Sequence, residues 1–271
     1  MTYPSGMPRP AAPRGTTLVG LLVAMAILVV LAAVSLSSLN VAMTGAGNTT
    51  AGSVRSFGEQ LALASICQTF VAVERDWKGP PQPSRLIAGV GGASGPVADT
   101  TGPFWSALVM QNYADPEKLV SPNERNPAVT VCDRYDYRAY DPARKRMWDP
   151  RFEADLVHGS NVSYAHVPLY GERLKVWGRL DSGFPLVGSR GPTEGRDDPR
   201  SFTYGRDGGW AGFRGFGDGH VAFFEDFATG RSLANGSPDN AFAMEEGPNG
   251  SDAILAFTRV MNGDGPRLQW D

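Results

Sequence analysis

Hydropathy cuts the chain into unequal parts. Residues 18–36 form a nearly unbroken apolar run, and no Asp, Glu, Lys, Arg or His stands between Arg14 and Arg55. About 20 apolar residues cross a hydrocarbon core of ~30 Å as a helix. A lone segment in lipid must bond its own backbone, so the run predicts a transmembrane helix over 16–39. The stretch 40–52 is uncharged but polar, and its Gly45, Gly47 and Gly52 each weaken a helix by about 1 kcal/mol relative to Ala. Helical spacing then returns. Val54, Phe57, Leu61, Ala64, Cys67 and Val71 recur at three- and four-residue steps, with Arg55, Glu59, Gln60 and Gln68 elsewhere. The pattern predicts an amphipathic continuation over 40–79, stopped by Lys78-Gly79-Pro80-Pro81. A single helix from 16 to 77 would reach ~90 Å at the usual rise per residue.

Downstream the pattern shortens. Residues 80–103 read as a Gly, Pro and Ser loop, and 104–113 as a short helix ended by Asp115-Pro116. Short strand-like runs follow at 128–132, 163–169, 174–180 and 184–187, and 210–227 reads as a hairpin. The segment 133–151 mixes Arg, Asp and Tyr and reads as a solvated, salt-bridged insertion. With 33 Gly and 21 Pro in 271 residues, the part after residue 80 is expected to be loop-rich and β-containing. The expected class is α+β, with a β-rich globular domain over 80–271.

Charge adds orientation. Arg9 and Arg14 precede the apolar run without any acid, which holds that flank in the cytoplasm and sends the following domain across the membrane. A net charge of −3 with no basic stripe gives no nucleic-acid signature. The two cysteines, Cys67 and Cys132, make no disulfide framework, and both a pair and free thiols stay open.

Catalytic signatures are thin. The three histidines, His158, His166 and His220, fall in no metal-binding spacing, and Ser189 in Gly188-Ser189-Arg190-Gly191 is not a nucleophile elbow. The glycines of 89–95 lack the Lys-Ser/Thr ending of a phosphate loop. No enzyme activity, metal or cofactor is expected. The one sharp element runs from Arg214 to Phe224. Gly217 and Gly219 flank Asp218 and supply positive φ, so Gly217-Asp218-Gly219-His220 predicts a hairpin tip anchored by Phe216, Val221 and Phe223.

Two stretches carry a resemblance. Gly15 after Arg14, then Thr16-Thr17-Leu18-Val19 and the apolar run, resembles the class III signal of type IV prepilins and type II secretion pseudopilins. The resemblance implies cleavage of the leader 1–15 by a prepilin peptidase after Gly15, with Thr16 as the first mature residue. Thr16 stands where that family has Phe or Met, and Gly20 where it has a Glu thought to dock neighbouring subunits. The Asp218-Gly219-His220-Val221 hairpin is similar to the end of a processing-associated domain of planctomycete-type prepilin-like proteins. Leu119-Val120-Ser121-Pro122-Asn123, Ser163-Tyr164-Ala165 and Phe184-Pro185-Leu186-Val187 resemble its earlier segments in the same order. In that family a His also stands where this chain has Gly208.

The resemblance implies a pilin-like fold, a long N-terminal helix with a membrane-spanning first half packed on an antiparallel β domain. It implies a structural or accessory subunit of a pseudopilus or pilus-like filament. Its partners would be the peptidase, other pilin-like subunits and the bacterial inner membrane, with the C-terminal domain periplasmic. Two alternatives stay open. One is a membrane-anchored extracytoplasmic binding domain that never polymerises. The other is a secreted hydrolase behind an ordinary signal peptide cut near Ala33.

Overall fold

The computed structural model describes residues 50–86, 98–177, 179, 181–203, 209–262 and 265–271. The expected leader 1–15, the expected transmembrane helix 16–39 with Gly15, Thr16 and Gly20, and the loop 87–97 lie outside the described residues.

Helix α1 (Thr50–Trp77) ends where its sequence stops it. Lys78 and Gly79 take φ of 55° and 148°, and the Gly79 N–H returns to the Glu74 carbonyl at 3.2 Å. A short α2 (Pro83–Leu86) is pinned at its start by Asp99, which accepts from Ser84 N and Oγ and from Gln82 Nε2. Helix α3 (Thr101–Met110) follows and is apolar on most sides.

The described strands pair with one another antiparallel. β1 (Ala154–Asp155) pairs with β2 (Gly159–Ser160). The main sheet has the order β3-β4-β5-β6, from β3 (Tyr164–His166), β4 (Pro185–Ser189), β5 (Gly212–Phe216) and β6 (Val221–Phe224). β7 (Ala228–Ser232) pairs with β8 (Pro238–Asn240), and β9 (Phe257–Asn262) with β10 (Gly265–Gln269). The core lies where α1, α3 and the main sheet meet. Phe70 of α1 stands 5.1 Å from Trp177 and 5.7 Å from Phe104, ring centre to ring centre. Leu63, Ile66, Cys67 and Val73 bury on the same side of α1, against Leu108, Leu186, Val187 and Phe213 of the same core. Each large apolar side chain so buried contributes about 1.5–3 kcal/mol.

The structure corrects the expected fold class. Its described residues form mainly small antiparallel sheets, a few short helices and one long helix, α1, that is not apolar enough to span a membrane; it is not a long membrane-entering N-terminal helix packed on a β domain. Among the described residues no helix is long and apolar enough to cross a membrane. Within α1, Arg55, Glu59, Glu74, Arg75 and Asp76 interrupt the apolar character. The pilin-like architecture is therefore set aside.

Three smaller expectations also change. Leu61 and Val71, placed on the buried face of α1 by their spacing, are exposed. The helix is apolar on several sides, so periodicity alone does not choose the face that meets the sheet. Residues 128–132 contribute only a single bridge, Val129 to Ser160. The strand expected over 174–180 is instead entered by a 3₁₀ turn, Gly171–Lys175.

Candidate functional site

The Gly217-Asp218-Gly219 tip joins β5 to β6. Gly219 N–H bonds the Phe216 carbonyl at 2.9 Å, and Phe216 N–H bonds the His220 carbonyl at 3.0 Å. Gly219 sits at φ 90°, the left-handed position of a three-residue hairpin loop with a glycine bulge. Gly217 is needed for a different reason. A Cβ there would collide with the Arg179 carbonyl, and its N–H bonds Asp181 O at 3.2 Å.

Asp218 and His220 face each other at the tip. Asp218 Oδ1 accepts from His220 N–H at 3.1 Å and lies 2.5 Å from His220 Nδ1. The imidazole stacks on Phe216 with centres 4.2 Å apart and planes 4° apart. Partial desolvation raises the Asp218 carboxyl, but the hydrogen bonds from His220 outweigh it and hold the group below the usual carboxylate range. Carboxylate and ring are thus engaged with each other and with the turn backbone.

The other histidines bond elsewhere. His158 pairs with Asp155 at 3.0 Å on the surface. His166 is fully buried between Thr101 Oγ1 at 2.9 Å and the Val167 carbonyl at 2.8 Å. The Thr258 N–H donates to Thr101 Oγ1 at 2.7 Å. The carbonyl requires His166 Nδ1 to carry the proton, so Nε2 accepts from the Thr101 hydroxyl and the ring is neutral. Burial pushes its pKa down to about 4.

A buried polar cluster is the feature that the sequence pattern missed. Glu59 of α1 is 6% exposed and accepts from Asn123 Nδ2 at 2.5 Å and Ser189 Oγ at 2.8 Å. Ser189 Oγ in turn accepts the Phe213 N–H at 2.9 Å. Beside it, Glu124 accepts from Ser163 Oγ and from Arg190 Nη2, both at 2.6 Å, and Arg190 also lies 3.3 Å from Asp271 Oδ1. Burial raises the Glu59 pKa, and the hydrogen bonds from Asn123, Ser189 and Ser121 offset part of that. The cluster ties α1, the loop around Asn123, the main sheet and Asp271 together. Its members are scattered from Glu59 to Asp271 and carry no motif.

Two further arginines are spent internally. Arg214 of β5 lies 4.3 Å from the Phe224 ring centre and 5.0 Å from that of Trp210, and donates to the carbonyls of Asp226 and Ala228. Desolvation lowers its pKa to about 10. Arg173, fully buried, donates to the Asp252 carboxylate and to the Gly247, Pro248 and Asp252 carbonyls.

These sites hold chain segments together. Cys67 is a buried, packed side chain whose thiol is pushed up to about 12 by burial and then by the charge of Asp218. Cys67 and Cys132 are both free. Among the described residues no group of three His, Cys, Asp or Glu side chains is placed to hold a metal ion. Gly15 and Thr16 lie outside the described residues, so the structure brings together only the hairpin members of the expected site. No family model, curated protein or solved structure matches the chain.

Proposed function

We propose that this chain is a structural or accessory subunit of an extracytoplasmic, pilus-like or type II secretion assembly, held by its apolar N-terminal segment and processed after Gly15. One observation carries the reading. Among the described residues, α1 is the helix that leads from the apolar segment's side of the chain into the folded part, and it is fastened to the sheet by an apolar face and by Glu59. A domain so fastened transmits position and load along the chain. Asp218 and His220, the residues with the best catalytic chemistry, serve the turn instead. The second reading, an anchored binding domain that does not polymerise, is favoured by Gly20, which removes the carboxylate used for docking in the resembling family.

The deciding measurement is the mature N-terminus, determined by mass spectrometry on protein from its own host. Thr16 as the first residue is expected, and Gly15→Leu is expected to retain the leader. An intact Met1 supports the non-polymerising anchor, and cleavage near Ala33 supports a secreted protein; either overturns the proposal.

A further inference from the structure

The main sheet has two edges, and the fold treats them differently. The outer side of β3 is closed by the chain itself, since His166 bridges Ala256 and the Ala256 N–H bonds the His166 carbonyl at 3.3 Å. On the outer side of β6, no described residue forms a backbone bond. The strand reads Val221-Ala222-Phe223-Phe224, with no Pro, Lys or bulge, the devices that usually block an edge.

The hairpin fixes which groups of β6 point outward. Phe216 bonds His220, and the register continues as Gly215 to Val221, Arg214 to Ala222, Phe213 to Phe223 and Gly212 to Phe224. In an antiparallel ladder, hydrogen-bonded and non-hydrogen-bonded pairs alternate. His220, Ala222 and Phe224 therefore bond inward to β5, and the N–H and C=O of Val221 and Phe223 face out.

We propose that this edge pairs with the β6 of a second copy, antiparallel, about a twofold axis through Ala222. In that register Val221 of each copy lies opposite Phe223 of the other, and every outward N–H and C=O of these residues finds a partner. Paired residues fall on the same sheet face, as a twofold axis perpendicular to the sheet demands. Ala222 meets its own equivalent in a non-hydrogen-bonded pair, where the backbones approach to about 4.5 Å and a small side chain fits best. The edge is thus complementary to itself, the defining property of an isologous interface. Beyond the paired strands, the twofold axis brings the hairpin tip of each copy, with Asp218, toward the end of the other copy's β6, where Glu225 and Asp226 follow. These acids limit the pairing to the short strand and make it tighter as salt screens them. The inference is independent of the filament reading, because an anchored domain that never polymerises would present the same edge.

The test uses the full chain in detergent micelles with Cys132→Ser, carrying Ala222→Cys. Opposed Ala222 positions fall within the Cα range of a disulfide, about 4.4–6.8 Å. Mild oxidation is expected to give a covalent dimer, increasing with salt, while Ala143→Cys on an exposed turn gives none. Val221→Pro removes an outward donor without touching a β5 bond, and is expected to abolish the dimer in sedimentation equilibrium while the thermal transition persists. Three results would overturn the proposal. One is a monomer with no Ala222→Cys cross-link at any salt. Another is a dimer that ignores Val221→Pro. The third is slow amide exchange at Val221 and Phe223 in a proven monomer, which would show that the chain covers its own edge.

Discussion

Gly215 of β5 lies directly beneath Cys67 of α1: a Cβ placed on Gly215 would overlap the Cys67 sulfur. The helix rests on the sheet at a point where one partner has no side chain, and that absence sets how closely the two layers approach. Gly215→Ala is expected to cost about 1–3 kcal/mol by overpacking. Adding Cys67→Ala is expected to return a large part of that loss. Urea unfolding of the two single variants and the double variant measures it, and additive losses would show that the contact is not the cause.

At the hairpin tip, Gly219→Val forces a β-branched residue to φ 90° and brings its Cβ to 3.0 Å from Gln68 Nε2. A loss of about 1–3 kcal/mol is expected, with lower soluble yield. His220→Ala removes a surface ring stack and is expected to cost less. A larger loss for His220→Ala than for Gly219→Val would contradict the role given to the turn.

His166 makes stability depend on acid. Its pKa falls from an ordinary value of 6.5 to about 4 because burial penalises the charged ring. The unfolded chain thus binds the proton first. Its contribution is fully present above about 6.5 and is lost as pH falls toward 4, by about 3 kcal/mol at most. His166→Asn is expected to be less stable at neutral pH and to show a flatter profile between pH 6.5 and 4 in thermal melts.

Glu59 acts with the opposite sign. Its folded pKa is raised from 4.5, so the folded chain holds the proton longer and stability declines as pH rises above that value. Glu59→Gln is expected to flatten this decline. If its melting temperature tracks that of the parent at every pH, the carboxyl is not the titrating group.

Arg190 is the cation that Glu124 and Asp271 share. Arg190→Met leaves two acids at the cluster without it and is expected to cost about 3–5 kcal/mol. Glu124→Gln added to Arg190→Met is expected to recover part of the loss. Failure of the second change to recover anything would place the damage in packing around the Met.

Short-range chemistry was legible in the sequence. Lys78-Gly79-Pro80-Pro81 ends α1 because Lys78 and Gly79 leave helical φ and the two prolines lack a donor N–H, whatever packs nearby. Gly217-Asp218-Gly219 closes a hairpin because Gly219 tolerates positive φ. Pro185 to Val187 and the run before Tyr113 likewise lie in a strand and a helix that their own side chains favour. What tertiary contact decided has no local signature. The spacing in α1 allowed Leu61 and Val71 to face inward as readily as Leu63 and Phe70, and only the fit of Phe70 among Phe104, Trp105 and Trp177 settled it. Residues 171–175 became a 3₁₀ turn because Arg173 reaches the carbonyls and carboxylate of 247–252, while Gly171, at φ 62°, lies against Asn249 with no room for a Cβ. Glu59 falls on a polar position of the α1 pattern and nothing in the sequence marks Arg214 as buried, yet partners supplied by other segments satisfy both in the interior. A charge can be buried only where the folded chain supplies its hydrogen bonds, and that supply exists only once the segments have met.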